Sequence, residues 1–378
     1  MSFIGSIYTI QMLYILICGF VFKNCKRRFL IAAFLALFIV MAFRSATKIG
    51  VDSATSYYGA FLNIQASDYK WPNPGLTFVM KTIHRFTGDY QWVIVITAAW
   101  LCFAYYKLLV KYSENGFISV MWFMGMLFYT FLFSALKQAW AMAFLCFAFD
   151  AIFEKKTIKF LVLVGVAALF HFPAFVFLPA YWIAKLKVNE WFPVIMIAVF
   201  AFVFVFRTQL LNWMGSTYGS GEEYASNVQF FGTKVIFMLF MLAYGFYQFF
   251  LRKYDADTGD NVFSVLMYFM GIAAVIQTFC FYNNIFERLA DYYYQFSILF
   301  VPLLLSRNSC GLNLMSVNAN NKIQLSDVSG SAGALSKPST FDVISNILFV
   351  IISVFCVYRY VNHMVNNTYF SPFFFFWQ

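Results

Sequence analysis

The sequence predicts an all-α integral membrane protein with about twelve transmembrane helices, some of them short or re-entrant. Two observations carry this prediction. Hydrophobic residues make up 62% of the 378 residues, whereas charged residues make up only 11%. Apolar runs such as FLIAAFLALFIVMAF also recur from end to end, which excludes a single soluble core, and they do not alternate as the strands of a transmembrane barrel do.

The apolar segments are separated by short polar stretches along the whole chain. They fall at 3–22, 29–43, 90–110, 117–134, 139–153, 158–170, 173–184, 192–207, 233–251, 261–282, 290–305 and 342–358. The first has no basic leader or small-residue cleavage site, so we predict a retained span. An amphipathic piece at 74–86 follows a Pro-Asn-Pro-Gly turn and is expected to lie in the interface or to re-enter the membrane.

The distribution of Lys and Arg predicts the orientation. The basic sequence KNCKRR at 23–28 places the first loop in the cytoplasm and the N-terminus outside. The segment 158–184 has three interpretations: one span kinked at Pro173, two short spans that turn back at His171, or a dip from outside. A turn at His171 leaves more Lys and Arg on the inner side, so we favour it. Both termini are then outside.

Three regions are predicted on this basis. Residues 1–305 form a polytopic membrane domain that carries the site, in a cavity open to the outer face. Residues 306–340, rich in Ser, Asn and Gly, form a flexible polar cytoplasmic loop. Residues 341–378 form a final transmembrane helix and an outer tail.

The net charge and the distribution of Cys and His residues exclude some classes of function. A net charge of +10 in such a chain points to cytoplasmic loops and the anionic lipids of the bilayer rather than to nucleic acid. The seven Cys and three His residues are scattered, without metal spacing, so no disulfide, metal or cofactor is expected.

Ionisable residues predicted on the outer side sit singly at the ends of apolar helices, where they are costly unless they face a cavity or a partner. They are Arg44, Asp52, Lys137, His171, Arg207 and Arg288. Several separated cations suit a multiply charged anion such as a pyrophosphate. Aromatic residues share this face and offer flat apolar surfaces with hydroxyls, which suit sugar rings. They include Tyr57, Tyr58, Trp71, Tyr292 and Tyr293.

Each candidate also has a structural interpretation, and these alternatives stay open: a snorkelling Arg44, a turn-capping Asp52, an interfacial Lys137, a packing His171, and an Arg288 paired with Glu287 or Asp291 on its own helix.

Five short stretches carry a resemblance to a known family. They are FRSATKIGVDSATSYYGAF at 43–61, NPGLTFVMKTI at 73–83, LKQAWAMAFLCFAF at 136–149, LFHFPAFVFLPAY at 169–181 and FERLADYYYQF at 286–296. In these stretches the chain resembles the Wzy-type polysaccharide polymerases, in their EpsG-like branch. It departs from the pattern at Asn73, where Glu is common, at Leu76, where Tyr is common, and at Lys137, where Arg is usual.

The resemblance implies a multi-pass protein of the bacterial cytoplasmic membrane that joins oligosaccharide repeat units carried on undecaprenyl pyrophosphate into O-antigen, capsule or exopolysaccharide. We assign pyrophosphate binding to Arg44, Lys137, Arg288 and Arg207, because negative charge develops on the leaving group. His171 or Asp52 is the candidate general base. The tyrosines and Trp71 would contact the glycan. A flippase and a chain-length regulator are the expected protein partners.

Two other functions stay open. The first is an O-antigen ligase or another lipid-linked glycosyltransferase. The second belongs to a different class, a flippase or transporter of polysaccharide precursors, which would instead favour internal repeats and ionisable groups near the bilayer midplane.

Overall fold

A computed structural model describes residues 6–50, 52–65, 73–218, 233–252, 261–281, 285–306 and 340–377. Within these ranges the protein is helical, with one isolated β-bridge between Arg44 and Phe375 and no strand. Trp71 and nearly all of the predicted polar loop at 306–340 lie outside the described residues.

Sixteen α-helices are described. They are α1 Ile7–Val21, α2 Lys26–Ala42, α3 Tyr58–Asn63, α4 Pro74–Phe86, α5 Gln91–Tyr112, α6 Gly116–Gly125, α7 Phe128–Ser134, α8 Leu136–Phe153, α9 Thr157–Phe170, α10 Ala180–Ile183, α11 Phe192–Tyr218, α12 Thr233–Arg252, α13 Asn261–Gln277, α14 Ile285–Tyr294, α15 Ser297–Leu305 and α16 Thr340–Asn366. A π-helix at Ser53–Tyr57 leads into α3, and short 3₁₀ helices occur at Phe172–Phe177 and Thr278–Phe281.

Several helices have the length and apolar character of membrane spans. Among the described residues five qualify, namely Gln91–Tyr112, Leu136–Phe153, Phe192–Leu210, Val262–Cys280 and Ile344–Asn366. The pair α6 and α7, bent by 51°, would make a sixth. The protein is therefore an all-helical membrane protein with five or six span candidates, and the prediction of about twelve crossings is confirmed only to that extent.

The segment 157–184 folds back on itself. Helix α9 ends at Phe170, and the chain returns through the 3₁₀ helix and α10. The Thr157 hydroxyl donates to the Tyr181 hydroxyl at 2.6 Å, and the rings of Phe160 and Tyr181 lie 5.2 Å apart. The two ends of the segment are thus side by side. Of the three interpretations, the single span kinked at Pro173 is wrong.

The C-terminal tail is fastened to the loop after α2. The backbone N–H of Ser45 donates to the Phe374 carbonyl at 2.8 Å, and that of Gly50 donates to the Tyr369 carbonyl at 3.1 Å. The Tyr8 hydroxyl, at the start of α1, donates to the carbonyl of Phe370 at 2.8 Å. Both ends of the described chain and the 43–50 loop therefore lie at one end of the molecule.

Two helix breaks were not predicted from the sequence. The predicted span 117–134 is divided at Leu127, which adopts a left-handed conformation with φ +65°. The predicted span 290–305 is divided at Gln295, which is buried and accepts a hydrogen bond from the Tyr105 hydroxyl at 3.0 Å. Gly125 ends α6 two residues before the first break, whereas neither proline nor glycine lies at the second, where the contact of Gln295 rather than local propensity stabilises the break.

Candidate active site

Lys137 lies in the first turn of α8, directly after the chain breaks at Ala135 between α7 and α8. The N-terminus of a helix carries a partial positive charge and backbone N–H groups without intrahelical partners. A half-buried lysine at this place is unfavourable unless an anion lies nearby. The backbone of Lys137 lowers the pKa of the Tyr57 hydroxyl, so the start of α8 lies beside the π-helix. The arrangement favours an anionic ligand.

Arg288 is brought to the same place by a hydrogen bond from the neighbouring glutamine. The side-chain amide of Gln138, which is 1% exposed, donates to the backbone carbonyl of Arg288 at 2.6 Å. This contact joins the start of α8 to α14. The Arg288 side chain remains exposed.

The two acidic neighbours of Arg288 are engaged elsewhere. The Lys234 ammonium lies 2.9 Å from a Glu287 carboxylate oxygen and 2.8 Å from an Asp291 carboxylate oxygen. Among the described residues, Arg288 itself forms no ion pair. The alternative in which Arg288 is neutralised by its own helix therefore does not describe this structure, and its guanidinium can accept an external anion.

His171 ends α9 and faces α14. Its Nδ1 is hydrogen-bonded to the hydroxyl of Tyr292, which lies one turn after Arg288 on α14. Burial lowers the pKa of His171 from its ordinary value to about 4, with the positive charges of Lys137 and Arg288 acting in the same direction. The imidazole is therefore neutral at physiological pH and has a lone pair that can accept a proton.

The π-helix at Ser53–Tyr57 contributes the remaining groups. Tyr57 is buried, and burial raises the pKa of its hydroxyl well above the ordinary value. The Lys137 backbone and the Arg288 charge lower this pKa, whereas the Asp52 carboxylate raises it, so all three act on the hydroxyl. Four separate segments thus bring five of the predicted residues together: Asp52, Tyr57, Lys137, His171 and Arg288, with Tyr292 behind His171.

The NPG stretch supports the His171 corner. Gly75, in the first turn of α4, packs against the ring of Phe170, where an added Cβ would approach the ring to 2.7 Å. The Phe170 ring stacks on Trp140 of α8, with centroids 4.9 Å apart. Only a glycine allows α4 this close approach, which helps to fix the end of α9 and therefore His171.

Arg44 occupies a different environment. Its side chain is completely buried, and it donates hydrogen bonds to the Ile49 carbonyl, the Phe133 carbonyl at 2.7 Å and the Ser53 hydroxyl at 3.5 Å. The guanidinium also lies over the Phe133 ring, 4.7 Å from its centroid. Of the guanidinium nitrogens of Arg44, Nε has no hydrogen-bond partner within the described part of the chain. Arg44 therefore joins the 43–53 loop to the end of α7.

Two glutamines important for these contacts were not among the predicted residues. Besides Gln138, the Gln91 side-chain amide donates to the carbonyls of Ala42 and Arg44, at 2.8 and 2.9 Å, and its oxygen accepts from the N–H of Ala46 at 3.1 Å. Each glutamine lies in the first turn of an apolar helix. A buried amide at that position is the signal that would have identified them.

The other predicted residues lie apart from this group or beside it. Tyr58 packs on Tyr90, with ring centroids 5.5 Å apart. The Tyr293 hydroxyl donates to the Val176 carbonyl at 2.7 Å, so this residue holds α14 against the 157–184 hairpin. The Arg207 guanidinium lies over the Phe204 ring of its own helix, α11.

Comparison with known proteins gives one positive result. The profile of the EpsG family matches residues 27–310, which include every residue of the group above. The chain belongs to the EpsG family. Neither the curated proteins nor the solved structures include a match. Membership in the EpsG family, together with the apolar helices, indicates a membrane protein with a polysaccharide polymerase-type, glycosyltransferase-like function.

Proposed function

We propose that this EpsG-family protein polymerises a surface polysaccharide on the outer face of the bacterial cytoplasmic membrane. It would transfer a growing glycan en bloc from one undecaprenyl-pyrophosphate carrier to the incoming lipid-linked repeat unit. The observation that carries this proposal is the convergence of two cations near a neutral histidine, all on segments that belong to the family match. Neither cation has a carboxylate partner within the described ranges of the chain. A flippase would deliver the repeat units, and a chain-length regulator would limit the product.

The leaving group explains the two cations. In the reaction, the bond between the anomeric carbon of the donor glycan and the pyrophosphate oxygen breaks, and its electron pair stays on the pyrophosphate. Lys137 and Arg288 would stabilise this developing charge, with the N-terminus of α8 adding its partial positive charge. Arg288 suits two-point contacts to phosphate oxygens, and Lys137 acts as a point charge.

The acceptor explains the histidine. A new bond forms between the donor anomeric carbon and a hydroxyl of the incoming sugar, and that hydroxyl loses its proton. If the Nδ1–H of His171 donates to the Tyr292 oxygen, the Nε2 lone pair is free to take this proton. Tyr292 is then a positioning residue that holds the tautomer. Asp52 is the second candidate base, and Tyr57 and Tyr58 would border the glycan.

Mass spectrometry of lipid-linked oligosaccharides in a strain that lacks the gene tests the function. We expect single complete repeat units to accumulate on undecaprenyl pyrophosphate, accessible at the outer leaflet. Complete units confined to the inner leaflet would indicate a flippase instead. Truncated units would indicate a glycosyltransferase of repeat assembly, and normal polymer that is not transferred to its final acceptor would indicate a ligase.

A further inference from the structure

A second charged cavity lies beside the candidate active site, on another face of α14. It has a volume of about 260 Å³, and it is lined by side chains of α7, α12, α14 and α16 and by the break before α7. One water molecule takes roughly 30 Å³ in the liquid, so the cavity can hold a molecule of sugar size. Its titratable residues are Lys234, Glu287, Asp291, Arg359 and His363.

Helix α16 completes this cavity. Arg359 and His363 are one turn apart on α16 and both line it. The Arg359 guanidinium donates to the Met126 sulfur at 3.1 Å, and among the described residues it forms no ion pair. Thr130 also lines the cavity, and its buried hydroxyl has no hydrogen-bond partner in the described structure. A strong donor without an ion-pair partner among the described residues therefore lines this space, and a neighbouring lining residue has an unsatisfied buried hydroxyl, which together indicate a polar ligand.

The balance of charges distinguishes a sugar from a phosphate. Lys234 and Arg359 contribute two positive charges, and Glu287 and Asp291 contribute two negative charges. Carboxylates accept hydrogen bonds and repel a phosphate, whereas a sugar hydroxyl both donates and accepts. Aromatic rings of Phe128, Phe131 and Phe370 supply apolar surface to the same cavity. This mixture of donors, acceptors and aromatic surface fits an uncharged sugar unit.

We propose that the cavity is a glycan subsite in which Arg359 and His363 of α16 recognise one sugar of the repeat unit. This inference rests on the proposed function, because it presumes that the substrate is a glycan. Helix α16 lies beyond residues 27–310, which match the family, so a helix outside the family match would contribute to the choice of repeat unit. Glu287 and Asp291 face this subsite, whereas Arg288 and Tyr292 of the same helix face the candidate reacting centre.

The test uses the purified full-length protein and, as probe, the lipid-free oligosaccharide repeat unit released from the organism's surface polysaccharide. The dissociation constant of the probe is measured for the wild type, Arg359→Gln, Arg359→Lys, and the matched control Arg85→Gln, whose arginine is exposed on α4. We expect at least tenfold weaker binding by Arg359→Gln, partial recovery in Arg359→Lys, and unchanged binding by Arg85→Gln. Thermal unfolding of each variant establishes that the protein is folded.

Two further measurements separate the subsite from the proposed function. His171→Ala should bind the probe with wild-type affinity while losing polymerisation of lipid-linked repeat units. Equal affinities of the wild type and Arg359→Gln, with polymerisation still dependent on His171, would overturn the subsite and leave the proposed function standing. Weaker binding of inorganic pyrophosphate by Arg359→Gln, with unchanged binding of the oligosaccharide, would overturn the sugar assignment. Polymerisation that continues without His171, Lys137 and Arg288 would overturn the assigned catalytic site, and polymerisation that continues in the strain lacking the gene would overturn the proposed function itself.

Discussion

The arginines at 44 and 288 were predicted for the same task, and the structure places them in opposite circumstances. Arg44 is fully buried and donates to two backbone carbonyls and a serine hydroxyl. Arg288 is exposed, and both acidic neighbours on its helix are paired with Lys234 instead. One guanidinium is engaged with the protein, and the other is available to a ligand.

The difference shows how the surroundings of a cation decide its role in a membrane protein. A buried charge must be compensated by hydrogen bonds or by a counter-charge, and Arg44 obtains this compensation from the 43–53 loop and α7. Lys137 and Arg288 obtain none from carboxylates among the described residues, so an anionic substrate can supply it. We therefore expect Arg44 to contribute to the stability of the fold, and Lys137 and Arg288 to contribute to turnover. Pyrophosphate binding by Arg44 and Arg207 stays a prediction.

Loss of the histidine should have the largest effect. His171→Ala removes the proposed base, and general-base catalysis typically contributes roughly 100- to 10,000-fold. We expect polymer to fall below detection in a complemented deletion strain, while the amount of protein in the membrane stays near normal. His84→Gln, a change at another histidine, is the matched control. Normal polymer from His171→Ala would transfer the role of base to Asp52 or remove it altogether.

Loss of one exposed cation should have the next largest effect. Arg288→Ala removes one stabilising contact to the developing pyrophosphate charge, which is typically worth roughly 100- to 1,000-fold in turnover. Lys137→Ala should behave similarly, and Lys137→Arg should retain activity because it keeps the charge. The measurement is polymer formed per folded protein molecule from lipid-linked repeat units. If Arg288→Ala formed polymer of wild-type chain length at the wild-type rate, Arg288 would be excluded from the site.

Loss of Arg44 should reduce the stability of the fold rather than the rate of the reaction. Arg44→Met leaves the Phe133 and Ile49 carbonyls unpaired, at roughly 1–3 kcal/mol for each buried group. Gly50→Ala should act in the same way. Gly50 has φ +91°, and a Cβ there would lie 2.6 Å from the Phe133 carbonyl oxygen and 2.9 Å from the Arg44 guanidinium.

We expect lower thermal stability for both variants, with turnover per folded molecule within a few-fold of the wild type. Lys48→Met, at an exposed lysine of the same loop, is the control for Arg44→Met. A stable Arg44→Met protein that has lost its turnover would place Arg44 in the site after all.

Much of the architecture was readable because apolar length is a strong signal. The amphipathic piece at 74–86 coincides with α4, and the turn at His171 is present as predicted. The break at Gln295 was not readable, since it depends on a contact with a distant helix, whereas Gly125 at the end of α6 is a local signal for the break at Leu127. Residue types at helix ends predicted Lys137, His171 and Arg288 as site candidates, and the structure brings them together, while their roles stay predictions. The partner of Asp291 was not identifiable, because Lys234 reaches it from a helix more than fifty residues away in sequence.

The response to pH should be the smallest effect, and it tests the same cations through their influence on His171. The pKa of His171 is lowered to about 4, so the imidazole stays neutral from pH 8 down to about 5 and becomes protonated only as the pH falls through 4. Because the unfolded chain binds this proton near pH 6.5, the folded state also loses stability relative to it as the pH falls from 6.5 towards 4.

Polymerisation rates in isolated membranes should therefore show no histidine-dependent fall between pH 8 and 5. Lys137→Met removes one positive charge near His171 and should raise the pH at which the residual activity falls on the acid side. That pH should stay below 6.5, because burial remains the larger cause of the lowered pKa of His171. A wild-type acid limb near pH 6.5 would mean that His171 is solvated in the working enzyme and that neither cation acts on it.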